Sequence, residues 1–371
     1  MKCSKEKHGL YLHIPFCRSK CKYCHFYSEN ISNSGEDFYI YLEGLQKEVE
    51  YFRQYNFKFE TLYVGGGTPN ALEPNQLALI LSIVHEKLEL SDVIEKSIEL
   101  NPEFVDVNLL NLLIKFGFNR ISLGVQSFVD TELEFLGRNH NSKKVYEAYN
   151  LIKKYNFKNV NIDLIFAFSG QTTESFEYSL WKACELDPTH ISTYTMTFEK
   201  PAKENLENKN ETITINMIRV RDKILAKYGF LRYEISNFAK KGYECMHNMK
   251  YWLRQYYVGL GPSASGFSID GDKEFRYTNP TSIQLYAKGI RDIEILSEEQ
   301  KLMEEIFLNI RTRYGWKTER NFITIALSKF QGLLRAKNNA LILTDDGLLV
   351  ADQLALKILE LYEDYKKGIE I

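Results

Sequence analysis

From Leu10 to Phe198 the chain alternates short runs rich in β-branched and aromatic residues with longer stretches whose apolar positions recur every three or four residues. That alternation of a two-residue period with a helical one is the mark of repeated βα units around a parallel sheet. It predicts six strands: Leu10–Ile14, Thr61–Val64, Lys96–Leu100, Arg120–Gly124, Val160–Phe166 and His190–Thr197. Amphipathic helices fall between them. One spans Val105–Phe116, with Asp106 as a cap near its start and Gly117 ending it in a left-handed turn. The fold class that follows is α/β, a partial TIM-like (β/α)6 barrel, in which ligands gather at the carboxyl ends of the strands.

The segment Ala202–Ile215, AKENLENKNETITI, is mostly polar and predicts a surface loop before a helix at Met217–Lys227. Beyond Asp270 the pattern changes. Ser297 and Gln300 have capping-box spacing at the head of EEQKLMEEIFLNIRTR, and the chain continues through LILTDDGLLVADQLALKILELY. A small helical domain of winged-helix type is expected, with a hairpin over Leu341–Val350 turning through Asp345, Asp346 and Gly347. The expected division is therefore a barrel at 1–270, which includes an HNxxYW segment, and a smaller carboxyl-terminal domain at 271–371.

Composition narrows the function. Hydrophobic residues make up 44% and charged residues 26%, a globular balance, and the formal net charge is only -2. No global field then favours nucleic acid or an anionic membrane, so neither is expected as a partner. No apolar run approaches the ~18 residues of an integral membrane segment, and the amino terminus lacks signal-peptide order, so a cytoplasmic protein is expected. Three of the six cysteines crowd into residues 17–24, which in a reducing compartment reads as a metal site rather than a disulfide framework. Cys184, in SFEYSLWKACEL, reads as a buried structural thiol.

The first strand runs into Cys17-Arg18-Ser19-Lys20-Cys21-Lys22-Tyr23-Cys24, a CxxxCxxC loop at a strand end. Three thiolates suit a [4Fe-4S] cube and leave one iron without a protein ligand, open to a cofactor such as S-adenosylmethionine (SAM). Structural zinc is the alternative, with His25 as fourth ligand, although adjacent Cys24 and His25 strain to bind one ion.

After the second strand comes Gly65-Gly66-Gly67-Thr68-Pro69, whose exposed backbone lets a ligand approach closely. Glu99, Gln126, Arg138 and Asp163 follow later strands, in IELNP, GVQSF, LGRNH and NIDLIF. A carboxylate there can hold ribose hydroxyls, and an arginine can clamp a carboxylate through two parallel bonds. Each alone reads first as a helix cap or a solvated barrel rim; together they mark one end of the barrel.

In order, YLHIPFCRSKCKYCHF, YVGGGTPN, LGVQSF, NIDLIF and HISTYTMTFE resemble the radical SAM family, in its coproporphyrinogen dehydrogenase-like branch. YEISNFA, HNMKYW, GLGPSASG and LTDDGLL extend the resemblance along the chain, closest to that branch's heme chaperones. The resemblance implies cluster ligation by Cys17, Cys21 and Cys24, and SAM contacts from Tyr11, Tyr23, Gly66, Gly67, Thr68, Glu99, Gln126, Arg138, Asp163 and Thr197. It also implies heme as ligand, a heme-accepting protein and an electron donor such as a flavodoxin or ferredoxin. His247 and Cys245 are the candidate heme ligands, with Tyr251 and Trp252 to pack on a porphyrin; the other reading of HNMKYW is a packed turn with His247 hydrogen-bonded. The alternative function is oxidative decarboxylation of coproporphyrinogen III. Dehydrogenase members carry a longer amino-terminal segment and a fourth cysteine two positions after the third, whereas here His25 and Phe26 follow Cys24. Chaperone-like members usually have an acidic residue where His25 stands.

Overall fold

A computed structural model describes residues 7–31, 35–196 and 211–369. The six expected strands form, over His8–Ile14, Phe59–Gly66, Glu95–Leu100, Arg120–Gln126, Asn159–Phe166 and His190–Thr195. They run parallel and in chain order within one 12-stranded sheet. Strand alternation divides their side chains into two sets. Leu10, Leu12, Ile14, Leu62, Val64, Ile98, Ile121 and Ile162 are fully buried in the main core between sheet and helices. The intervening positions, Tyr11, Tyr63, Glu99, Ser122 and Asp163 among them, form the inner face of the barrel.

Helices follow the strands as the periodicity requires, at Gly35–Arg53, Pro74–Lys87, Val107–Lys115, Ser142–Lys154 and Thr173–Glu185. The third starts and stops as expected: Asp106 accepts a bond from the Leu109 amide at 2.8 Å, and Gly117 has φ of +74°. Part of the loop expected over 202–215 lies outside the described residues; its last residues, from Glu211, already belong to a helix that runs to Lys227.

Both edges of the barrel are extended. Asn237–Ala239 pairs antiparallel to the sixth strand, while Tyr257–Leu260 pairs parallel to the first. Antiparallel strands Ser265–Asp270, Lys273–Thr278 and Asp292–Ile295 follow, so the sheet stays open. The direction of Tyr257–Leu260 decides where the preceding chain lies. A strand parallel to the first is entered at its amino end, so the helix Met246–Trp252 is carried beneath the barrel, against Gly9, Thr61 and Glu95.

One buried carboxylate ties the extension to the first helix. Glu48 accepts bonds from the Gly261 amide at 2.8 Å, Asn279 Nδ2 at 2.8 Å, Tyr286 Oη at 2.6 Å and Arg291 Nη2 at 3.0 Å.

A second core gathers from Ile306 onward, around Trp316, Phe322, Leu341, Leu354 and Ile358. Helices Glu298–Asn309, Arg320–Lys329 and Ala351–Lys367 pack there on a three-stranded sheet. The first of them carries the expected capping box of Ser297 and Gln300. Residue 270 itself ends the strand Ser265–Asp270 of the large sheet and pairs with Lys273 at the start of the next strand. The expected hairpin over Leu341–Val350 is corrected: the strands are Leu334–Lys337 and Ala340–Leu343, and the turn is Asn338-Asn339, both at positive φ. Asp345–Leu349 is a short helix capped by the Thr344 hydroxyl. Among the described residues no helix is long and apolar enough to cross a membrane.

Candidate functional site

Beyond the first strand, Pro15 leads into a two-residue strand that ends on Cys17, and the chain loops through Cys21 and Cys24. Cys17 is buried; the other two are partly exposed, and none is in a disulfide. The Cys24 amide donates to the Cys21 carbonyl at 3.2 Å, which tightens the loop. Burial pushes the thiols of Cys17 and Cys24 up, and the neighbouring thiols act in the same direction.

The glycine run packs directly on this loop. Gly67 and Thr68 donate their amides to the carbonyls of Ile14 and Phe16, at 2.9 and 2.8 Å. A Cβ on Gly67 would lie 2.7 Å from the Phe16 oxygen and 3.0 Å from Cys17 Sγ, so only glycine fits. The Thr68 hydroxyl sits 3.4 Å from the same sulfur. From the other side Arg138 reaches in, with Nη1 3.4 Å from both Cys21 Sγ and Tyr23 Oη, and Nη2 donating to the Gly124 carbonyl at 3.0 Å. Its Nε is buried without a partner. Among the described residues no three His, Cys, Asp or Glu side chains are arranged to hold a single metal ion. Three soft thiols spread along one loop, with an unspent guanidinium N–H beside them, are a donor set that fits a polynuclear iron-sulfur cluster and an anionic group next to it.

The inner face of the barrel continues this surface. Tyr63 Oη donates to Glu99 Oε1 at 2.9 Å and the Gly66 amide to Glu99 Oε2 at 3.3 Å. Burial, with the charge of Asp163 behind it, pushes the Glu99 carboxyl up to about 7. Tyr11 donates to His13 Nδ1 at 3.0 Å, and His13 Nε2 donates to the Tyr27 carbonyl at 3.0 Å, which pins the far end of the cysteine loop. Gln126 takes a positive φ of +71°, and its side chain lies over Gly124. Asp163 accepts from Ser122 Oγ and Asn161 Nδ2, both at 2.8 Å. Of the expected cofactor contacts, Thr197 lies outside the described residues; the others fall on the cysteine and glycine loops or on the inner face and rim next to them.

His247 and Cys245 are elsewhere, at the amino ends of the strands. His247 is fully buried, its ring stacked on Tyr63 with centroids 5.3 Å apart. Nδ1 pairs with Thr61 Oγ1 at 2.8 Å and Nε2 with Tyr251 Oη at 2.7 Å, so both ring nitrogens are in use. Glu95 caps the helix from the third strand, accepting from the amides of Met246 and His247 at 3.0 Å each, and the Cys245 thiol donates to it at 3.6 Å. Burial pushes that thiol up to about 12. In this arrangement HNMKYW is a packed plug with a hydrogen-bonded histidine, and neither residue presents a free ligand atom.

Sequence reasoning missed His13, Ser122, Asn161 and Arg120. Asn161 had a signal, since it stands two positions before Asp163 and therefore on the same face. Arg120 is fully buried at the head of the fourth strand, with Nε and Nη1 unpartnered.

Comparison with known proteins agrees with this geometry. Residues 11–180 match the model of the radical SAM superfamily. The heme chaperone HemW of Lactococcus lactis is 34% identical over 328 residues, 85% of this chain and 84% of that protein. HemW of Bacillus subtilis is 32% identical over 371 residues, covering 93% and 97%. HemW of Escherichia coli is 33% identical over 264 residues, covering 70% and 69%. In structure, coproporphyrinogen III oxidase (HemN) from Escherichia coli, a radical SAM enzyme, superposes with a TM-score of 0.78 at 20% identity, covering 95% of this chain and 90% of that one. That match establishes the fold: the α/β, partial TIM-like barrel read from the sequence. With relatives this similar over this much of its length, the chain belongs to the radical SAM superfamily and, within it, to the family of the heme chaperone HemW.

Proposed function

We propose that this protein binds heme and delivers it to an acceptor protein, under the control of a [4Fe-4S] cluster held by Cys17, Cys21 and Cys24 and of SAM bound beside it. The observation that carries the cluster is the convergence of the cysteine loop, the GGGTP turn and Arg138 on one carboxyl-end surface. The chaperone role rests on kinship with HemW.

When bound, a site-differentiated cluster of this kind supplies one electron to the sulfonium of SAM. The chain's own residues position and shield. Arg138 offers its buried Nε to a carboxylate; Glu99 and Asp163 offer oxygens to hydroxyl or amino groups; Gly66 and Gly67 clear the space. The electron donor we propose is a flavodoxin- or ferredoxin-like carrier, and the compartment is the cytoplasm, where the thiols stay reduced.

His247 and Cys245 enter this proposal conditionally. For His247 to reach heme iron, its bond to Tyr251 must break and the helix Met246–Trp252 must leave the barrel floor.

The test is spectroscopic. Protein reconstituted anaerobically is expected to hold iron and inorganic sulfide, and to develop a Soret band at one heme per chain. Cluster formation without any heme uptake removes the chaperone role; protoporphyrinogen at catalytic turnover, in a SAM-dependent assay, replaces it with the dehydrogenase.

A further inference from the structure

Within the barrel an unbroken line of hydrogen bonds joins the proposed SAM pocket to the opposite end. Asn161 Nδ2 lies 2.8 Å from Asp163 Oδ1 and 2.7 Å from Ser122 Oγ, so both of its N–H groups point up the barrel. Its Oδ1 must then accept, from His190 Nδ1 at 2.6 Å. A proton on Nδ1 leaves Nε2 to accept from Tyr233 Oη at 2.7 Å, and Tyr233 in turn accepts the Cys245 amide at 3.3 Å. The tautomer follows from the network rather than from seen protons. Every link donates toward Asp163: Cys245 N–H, Tyr233 O–H, His190 Nδ1–H, Asn161 Nδ2–H. Bonds aligned in one direction polarise each other, and each member here is fixed by burial: His190 and Tyr233 are fully inaccessible and Asn161 nearly so. Asp163 alone keeps part of its surface open to the lumen.

We infer that His190 is a positioning residue for Asp163, and that through Tyr233 it couples the occupancy of the SAM pocket to the order of the helix Met246–Trp252. This rests on the reading of Asp163 as a SAM contact. The chemistry is elementary: a ligand hydroxyl donating to Asp163 competes with Asn161 for the carboxylate, and each bond down the line, as far as the Cys245 amide that opens the floor helix, is weakened in turn.

The test uses the full chain, reconstituted anaerobically with iron and sulfide. SAM affinity is read by equilibrium dialysis, and amide hydrogen exchange over 245–252 by mass spectrometry with and without SAM. In the wild type, SAM is expected to speed exchange in that segment about fivefold or more. Tyr233→Phe removes the hydroxyl and keeps the ring; it is expected to abolish this response to SAM while iron and sulfide content is unchanged. His190→Asn keeps a donor near the Nδ1 position and is expected to hold SAM affinity within about threefold, again without the exchange response. His190→Gln places its amide near Nε2, loses the bond to Asn161, and is expected to weaken SAM about tenfold. A purely structural role would lower thermal stability in all three and leave the exchange response intact. Wild-type protein that binds SAM with no change over 245–252 overturns the coupling, whether or not the variants fold. Dialysis showing no SAM binding at all sinks the proposed function first and the coupling with it.

Discussion

The guanidinium of Arg138 stands 3.4 Å from the sulfur of Cys21 while its other amino group is bonded to the Gly124 carbonyl at 3.0 Å. One cation therefore joins the cysteine loop to the fourth strand of the barrel. Arg138→Gln cuts that bridge and removes the charge. SAM affinity of the reconstituted protein is expected to fall about tenfold to a hundredfold. Affinity unchanged by this substitution, measured by dialysis, would remove Arg138 from the proposed pocket.

The contact between Gly67 and the loop gives a steric prediction. Gly67→Ala forces a methyl group against the Phe16 carbonyl and Cys17 Sγ. The loop must shift, at a cost of about 1–3 kcal/mol, and cluster retention after reconstitution is expected to drop by half or more. Gly35→Ala, where a Cβ meets nothing within 4 Å, is the control. Equal iron and sulfide in both variants would show that the turn does not shape the cluster site.

Glu99 sets a pH dependence. Its carboxyl is raised to about 7 in the fold, mainly by burial, so the folded chain holds a proton that the unfolded chain releases near the ordinary carboxylate value. Stability is then full below about pH 4.5 and is lost as pH rises toward 7. Glu99→Gln keeps the acceptor for Tyr63 and deletes the titration. Relative to this variant the wild type is expected to lose about 1–3 kcal/mol between pH 4.5 and 7.5. Denaturation midpoints that run parallel across this range would contradict the shift.

Tyr251 holds His247 closed. Tyr251→Phe leaves Nε2 without its partner, and if His247 ligates heme iron the variant is expected to take up heme about fivefold faster. Stopped-flow Soret absorbance reads the rate. Unchanged uptake, together with full heme binding by His247→Ala, would place the ligand elsewhere.

Much of this architecture is legible in the sequence because six runs such as NVNIDLIF and RISLGVQ carry their own period and β-branched content. The cysteine loop and glycine run are legible because each is local: a few residues decide what they can hold. The floor helix is different. Its position depends on the strand after it, Tyr257–Leu260, running parallel to a partner some 250 residues earlier. No periodicity within HNMKYW reports that. The hairpin shows a competition between neighbours: Asn338-Asn339 and Asp345-Asp346-Gly347 both read as turns, and the Thr344 hydroxyl, which donates to the Gly332 carbonyl and accepts from the Gly347 amide, settles the second as helical.

Glu48 constrains how this protein can be rebuilt. Its four donors come from residues 261, 279, 286 and 291, all in the segments that connect the strands of the sheet extension beyond Leu260, whereas the carboxylate itself belongs to the first barrel helix. A chimera that grafts another protein's extension onto this barrel strands an acid in the wall unless the recipient's helix changes with it. Evolutionary exchange and engineering alike must treat those two segments, remote along the chain, as a single transferable piece.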